Sequence, residues 1–139
     1  MTGTQRLFFA NVFIDQDSQM ENRHVLVVED DSSVATITAE MLRILGYSAV
    51  VAASSEGAMA AWREFRGDFH LVIVDFILSD GSGAMLATTL VAEKPGIPVI
   101  LISGLTEDNV DLPLARARYL AKPFTITHLR HAIDSLIPR

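Results

Sequence analysis

Four short strand-like runs in this 139-residue chain, three of them wholly apolar, each lead into residues that could do chemistry. Val25–Val28 leads into Glu29, Asp30 and Asp31; Leu71–Val74 leads into Asp75; Pro98–Ile102 leads into Ser103; and Arg118–Ala121 leads into Lys122. Singly, each has an ordinary structural use. Acids at a strand's end act as solvated caps, an aspartate after an apolar run starts a turn, a serine is a loop hydroxyl, and Lys122-Pro123 punctuates a loop. Together they ask for a ligand. Gathered carboxylates repel one another and need a compensating cation. Oxygen ligands without His or Cys suit Mg2+, which keeps several waters and often shares a phosphate. A lysine and a hydroxyl on the opposite side complete a site for a tetrahedral anion.

For these residues to meet, the runs must be neighbouring strands with aligned carboxyl ends. Val25–Val28 is too short for a helix and apolar on both faces, which suits a central strand covered on two sides. Ser32 or Ser33 offers an N-cap for a helix whose Val34, Ile37, Met41, Leu42 and Leu45 share a face, with Gly46 ending it. Tyr47–Ala52 reads as a second strand. Ser54 or Ser55 caps a second helix with Ala58, Ala61, Trp62 and Phe65 on its buried stripe. Gly83–Val91 is a shorter, weaker helix, and Thr125 caps a last one carrying Ile126, Leu129, Ile133, Leu136 and Ile137 on one side. Between Gly104 and Arg116, Pro113 limits any helix to a shortened or irregular one. Five strands alternating with helices predict an α/β architecture: a doubly wound five-stranded parallel sheet with helices on both faces, right-handed crossovers, and ligands at the strands' carboxyl ends.

Composition narrows the function. Half of the residues are hydrophobic and 20% are charged, as in a single folded domain. Cysteine is absent, which excludes disulfides and thiolate metal sites and makes the cytoplasm the expected compartment. No apolar run approaches the roughly 20 residues that span a bilayer. Leu7–Ile14, preceded by Arg6 and followed by Asp15 and Asp17, makes a poor signal peptide. The net charge of −6 argues against direct nucleic-acid binding. The charge is uneven: from Leu112 onward five Lys and Arg face one Asp, a balance of +4, whereas the preceding 111 residues carry −10. That basic end is a solvated face or a surface for an acidic partner. His24, His70, His128 and His131 show no metal-ligand spacing.

The segments VLVVEDD (25–31), LVIVDFILSDGSG (71–83), VILISG (99–104) and YLAKPF (119–124) resemble the receiver domain of two-component response regulators. The resemblance covers residues 25–139 and implies a flavodoxin-like fold. It implies Asp75 as phospho-acceptor, a carboxylate nucleophile that forms an aspartyl phosphate. It further implies Mg2+ held by Glu29, Asp30, Asp75 and the Ile77 backbone carbonyl. Ser103 would bond a phosphoryl oxygen, Lys122 would pair with the phosphoryl charge, and Tyr119 would be the aromatic switch that moves with the Ser103 hydroxyl. A cis Lys122-Pro123 bond belongs to the same pattern. Asp31 is an extra acid whose role as N-cap or helix-start charge needs no chemistry.

The chain departs from that pattern at several points. Ser79 replaces a usual proline, which predicts a looser loop after Asp75; Gly104 stands for a commoner alanine and Arg118 for a frequent glycine. Ile77 and Leu105, two residues after the acceptor and the hydroxyl, are apolar where polar side chains position hydrolytic water, which predicts slow autodephosphorylation. The atypical segment before Tyr119 leaves the usual homodimer open rather than assumed. Residues 1–23 have no receiver counterpart and are expected to be a disordered or loosely packed extension, with Met20 resembling a natural start; residues 24–139 form the receiver.

The function expected is a single-domain phospho-switch without an output domain, since the chain ends two residues after its last expected helix. It takes phosphate from a histidine kinase or histidine phosphotransfer protein and signals to a downstream protein target by population shift. It is not expected to be an enzyme beyond self-phosphorylation and slow self-dephosphorylation. Two alternatives compete: a degenerate receiver that binds partners independently of phosphorylation, and a Mg2+-dependent phosphohydrolase with an aspartate nucleophile. Ile77 stands where the latter usually carries its second aspartate.

Overall fold

The computed structural model describes residues 23–104 and 116–138 and, for the backbone alone, residues 6–9 and 12–15. In chain order the elements are β1 (Arg6–Phe9), β2 (Val12–Asp15), β3 (His24–Val28), α1 (Ser32–Ile44), β4 (Ser48–Ala52), α2 (Ser55–Glu64), β5 (Leu71–Asp75), β6 (Ile77–Leu78), β7 (Gly81–Ser82), α3 (Gly83–Glu93), β8 (Val99–Ser103), β9 (Ala117–Ala121) and α4 (Ile126–Leu136). The expected five strands run parallel in the order β4-β3-β5-β8-β9.

Alternation along each strand divides the interior into two cores. Leu26, Val28, Val72, Val74 and Leu101 face Ala58, Ala61 and Trp62 of α2 and Leu86 and Leu90 of α3. Val25, Val27, Ile73, Ile100 and Ile102 face Leu42 of α1 and Leu129 and Ile133 of α4. The continuous apolar runs therefore reflect a sheet covered on both faces, the situation in which strands lose their polar alternation.

The helices start on oxygen acceptors, which satisfy amide groups that have no partner within the first turn. Ser54 caps α2 by accepting from the Gly57 amide, and Thr125 caps α4 in a reciprocal box with His128, both as expected. At α1 the cap is Asp31 rather than Ser32 or Ser33, its carboxylate accepting from the Ser33 and Val34 amides. A carboxylate is the stronger acceptor and complements the positive end of the helix dipole. Helix α3 reaches Glu93, past the expected end at Val91.

In the N-terminal extension the described backbone forms two short strands. Strands β1 and β2 pair antiparallel, Arg6 opposite Asp15, and β2 pairs antiparallel with β4, Val12 opposite Ala52. The sheet thus has seven strands, in the order β1-β2-β4-β3-β5-β8-β9. The physical reason is the open edge of β4, whose unpaired amides and carbonyls template another strand. The expectation of a shortened or irregular fourth helix falls on residues 105–115, outside the described residues.

Candidate functional site

Parallel pairing brings the carboxyl ends of β3, β5 and β8 to one edge of the domain, because Val28 sits opposite Val74 and Asp75 opposite Ile102. Asp75, the last residue of β5, and Ser103, the last of β8, are both buried. Glu29 directly follows β3 and is buried as well, its backbone amide donating to the Ala52 carbonyl at 3.0 Å. Asp30 is exposed at the rim. Glu29, Asp30 and Asp75 each offer a carboxylate oxygen, and these lie within 4.8 Å of one another.

Lys122 neutralises part of this charge. Its Nζ donates to Asp75 Oδ2 at 2.6 Å and lies 3.2 Å from Glu29 Oε1. The second contact is an ion pair without hydrogen-bond alignment, so Glu29 Oε1 is buried with no hydrogen-bond donor. The other Glu29 oxygen accepts from the Asp31 amide at 3.1 Å. Burial pushes the Glu29 carboxyl above its ordinary range; the Asp31 amide pulls it back, the Asp75 charge raises it further, and Lys122 opposes that rise. Burial works against the Lys122 ammonium, but its hydrogen bond to Asp75 and its ion pair with Glu29 outweigh this and hold its pKa above the ordinary lysine value. One lysine against three carboxylates leaves net negative charge in the pocket. An all-oxygen donor set that keeps net negative charge beside its one lysine fits a hard divalent cation.

Around Asp75 the chain is tightly drawn. The Ile77 amide donates to Asp75 Oδ1 at 3.1 Å, while the Ile77 side chain is exposed. The Gly83 amide donates to the Phe76 carbonyl at 2.9 Å, and a Cβ on Gly83 would sit 1.8 Å from the Asp75 carbonyl oxygen. Only glycine allows α3 to begin this close to β5. On the far side, the Lys122 amide donates to the Ser103 carbonyl at 2.8 Å and the Lys122-Pro123 peptide is cis. Tyr119, on β9 opposite Leu101, is partly exposed.

The response regulator receiver domain model matches residues 25–134. The chain belongs to the response-regulator receiver family. The receiver is 33% identical over 118 residues to the probable transcriptional regulatory protein TcrX of Mycobacterium tuberculosis, covering 83% of this chain and 50% of TcrX. Among solved structures it is similar to the receiver domain of the hybrid histidine kinase CckA, at 28% identity and TM-score 0.71 over 82% of this chain and 98% of that one. It is also similar to the response regulator TrrA of Thermotoga maritima in complex with Mg(2+)-BeF, at 25% identity and TM-score 0.72 over 83% and 99% of the two chains. The chain spans about half the length of the curated relatives it matches.

Of the residues singled out from the sequence, Glu29, Asp30, Asp75 and Lys122 converge on one pocket in the receiver, with the Ile77 backbone against Asp75. Ser103 lies at the neighbouring strand end, tied by its carbonyl to the Lys122 amide. Asp31 takes the capping role. Leu105 lies outside the described residues. Sequence reasoning missed two residues. Gly83 carried no signal beyond the Gly-Ser-Gly stretch that opens α3, and Asp80 gave none, because its partners lie 24 and 25 residues away. Among the described residues no helix is long and apolar enough to cross a membrane.

Proposed function

We propose that this receiver is a cytoplasmic phospho-switch that takes a phosphoryl group on Asp75 from a histidine kinase or histidine phosphotransfer protein and signals by protein–protein contact. The observation that supports it best is Asp75 itself: a buried carboxylate with one oxygen on the Lys122 ammonium at 2.6 Å and the other on the Ile77 amide at 3.1 Å, beside two further acids. In the transfer, one Asp75 oxygen attacks phosphorus, the donor's P–N bond breaks, its electrons leave with the histidine, and an acyl phosphate forms. Lys122 and the Ser103 hydroxyl take the phosphoryl oxygens, and Tyr119 on β9 follows the Ser103 loop as the readout.

Mg2+ is the cation proposed, held by Glu29, Asp30, Asp75 and the Ile77 carbonyl. When bound it supplies charge neutralisation for the phosphoryl oxygens. The receiver's own residues orient the nucleophile, pair the incoming charge and exclude a hydrolytic side chain at Ile77, so the phosphate is lost slowly. The proposed activity is confined to self-phosphorylation and this slow loss. A DNA-binding activity appears in the name of the relative MtrA, of which this chain covers 45%; no residue described here is assigned to it.

The test is incubation of the protein and Asp75→Asn with Mg2+ and acetyl phosphate, then with a phosphorylated histidine donor, followed by intact mass. A gain of one phosphate in the wild type and none in the variant supports the switch. No gain with either donor replaces it with a phosphorylation-independent binding module, and steady turnover of phosphate esters with a phosphohydrolase.

A further inference from the structure

The short hairpin between Asp75 and α3 makes more contacts than its length suggests. Its strands β6 and β7 have two residues each, Ile77 opposite Ser82 and Leu78 opposite Gly81, with Ser79 and Asp80 as the turn. Two hydrogen-bonded pairs do not hold a hairpin in water. Leu78 anchors one side in the core. The turn supplies two more anchors, in opposite directions. The Ser79 amide donates to Asp30 Oδ2 at 3.1 Å, into the acidic pocket. The Asp80 carboxylate accepts from the Ser55 amide at 2.9 Å and the Glu56 amide at 3.2 Å, at the first turn of α2. These bonds hold the Asp80 carboxyl below its ordinary range.

The loop that was expected to be loose for want of a proline is therefore tied by hydrogen bonds instead. Ile77 stands at the base of this hairpin, with its amide on Asp75, and Ser79 at its tip, with its amide on Asp30. Two of the pocket's three acids thus take their orientation from one hairpin. Its only described charged anchor outside the pocket is Asp80.

The geometry points to Asp80 as a positioning residue for the cation pocket: by fixing the hairpin to α2 it sets the Ser79 and Ile77 amides that orient Asp30 and Asp75. This rests on the cation reading above. Outer partners of metal ligands typically change affinity by about 10- to 100-fold when removed, and Asp80 acts one link further out. Asp80→Ala is expected to weaken binding of Mn2+, used as the probe, by about 10-fold. Asp80→Asn keeps one acceptor oxygen, for one of the two amides, and falls between Asp80→Ala and the wild type.

The control is Ser54→Ala, which removes the other acceptor at α2's first turn without touching the hairpin. Full-length wild type, Asp80→Ala, Asp80→Asn and Ser54→Ala are titrated with Mn2+ by water proton relaxation. Their thermal midpoints, and their Ile77 and Ser79 amide resonances, are recorded without metal. The inference expects Ser54→Ala to lower the midpoint while keeping wild-type affinity, and Asp80→Ala to move both amides and lose affinity. Wild-type affinity in Asp80→Ala overturns it, as does an equal loss in Ser54→Ala, which would reduce Asp80 to a helix cap. Absence of Mn2+ binding by the wild type overturns the cation reading and this inference with it. The metal-free amide shifts then show separately whether the tie itself exists.

Discussion

Gly83→Ala sets two effects of opposite sign against each other. Replacing glycine by alanine in a helix ordinarily stabilises by about 0.5–1 kcal/mol, and less in the first turn, where Gly83 stands. Against this, the new Cβ would lie 1.8 Å from the Asp75 carbonyl oxygen, 2.9 Å from its carbonyl carbon and 3.0 Å from Val74 Cγ2. Ordinary contact begins near 3.5 Å, so the two backbones must part by about 1.7 Å, and neither end is a flexible side chain. Overpacking by a methyl group costs about 1–3 kcal/mol, and a clash with backbone belongs at the upper end. The steric term wins, leaving a net loss of about 2 kcal/mol. With a urea slope of about 2 kcal/mol per molar, the unfolding midpoint falls by about 1 M. The displacement falls on Asp75, the proposed nucleophile, and a misplacement of about 1 Å costs on the order of 100-fold in rate; phosphate incorporation from acetyl phosphate should fall accordingly. Gly96→Ala is the contrast. Gly96 has φ +92° and open space around its would-be Cβ, so it loses about 1 kcal/mol to backbone strain and keeps its phosphorylation rate. A Gly83→Ala midpoint at or above the wild type with an unchanged rate would refute the reasoning.

Asp31→Ala should cost about 1 kcal/mol through the lost α1 cap and leave Mg2+ affinity intact, measured by urea unfolding and metal titration; a loss of affinity matching Asp30→Ala would make Asp31 a ligand. His24 packs edge-on against Phe65, its Nδ1 buried without a partner. Burial lowers its pKa from 6.5, Asp68 opposing this and His70 adding to it. The unfolded chain then takes the proton first. This contribution to stability is complete above pH 6.5 and declines as pH falls toward the lower folded value, so unfolding midpoints between pH 7.5 and 5.5 should drop less in His24→Phe. Ile77→Asn should shorten the aspartyl-phosphate lifetime about tenfold by positioning a water, read as the decay of intact phosphorylated mass; an unchanged lifetime would remove the shielding role.

What the sequence disclosed depended on how local the determinant was. Val25–Val28, Leu71–Val74 and Pro98–Ile102 announced central strands because a strand covered on both faces must be apolar at every position. Once those strands are parallel, Glu29, Asp30, Asp75 and Ser103 fall at one edge without further information. The loops were less legible. The Asp80 bonds to Ser55 and Glu56 and the Ser79 bond to Asp30 span 24 to 49 residues and depend on a two-residue turn that no periodicity marks. Asp31 outcompeted two serines for the α1 cap, a contest between neighbouring acceptors that residue type alone decides poorly. The pairing of β1 and β2 was missed because Leu7–Ile14 reads as one apolar run, whereas it holds parts of two four-residue strands.

The sheet acts as a bulkhead between two compartments. Ile100 and Leu101 are sequence neighbours, yet one is packed with α1 and α4 and the other with α2 and α3. A side chain in either compartment therefore packs with that compartment's own two helices and not with the other pair. A repacking library confined to Val27, Ile73, Ile100 and Ile102 should likewise leave the amide spectrum of α2 and α3 almost untouched.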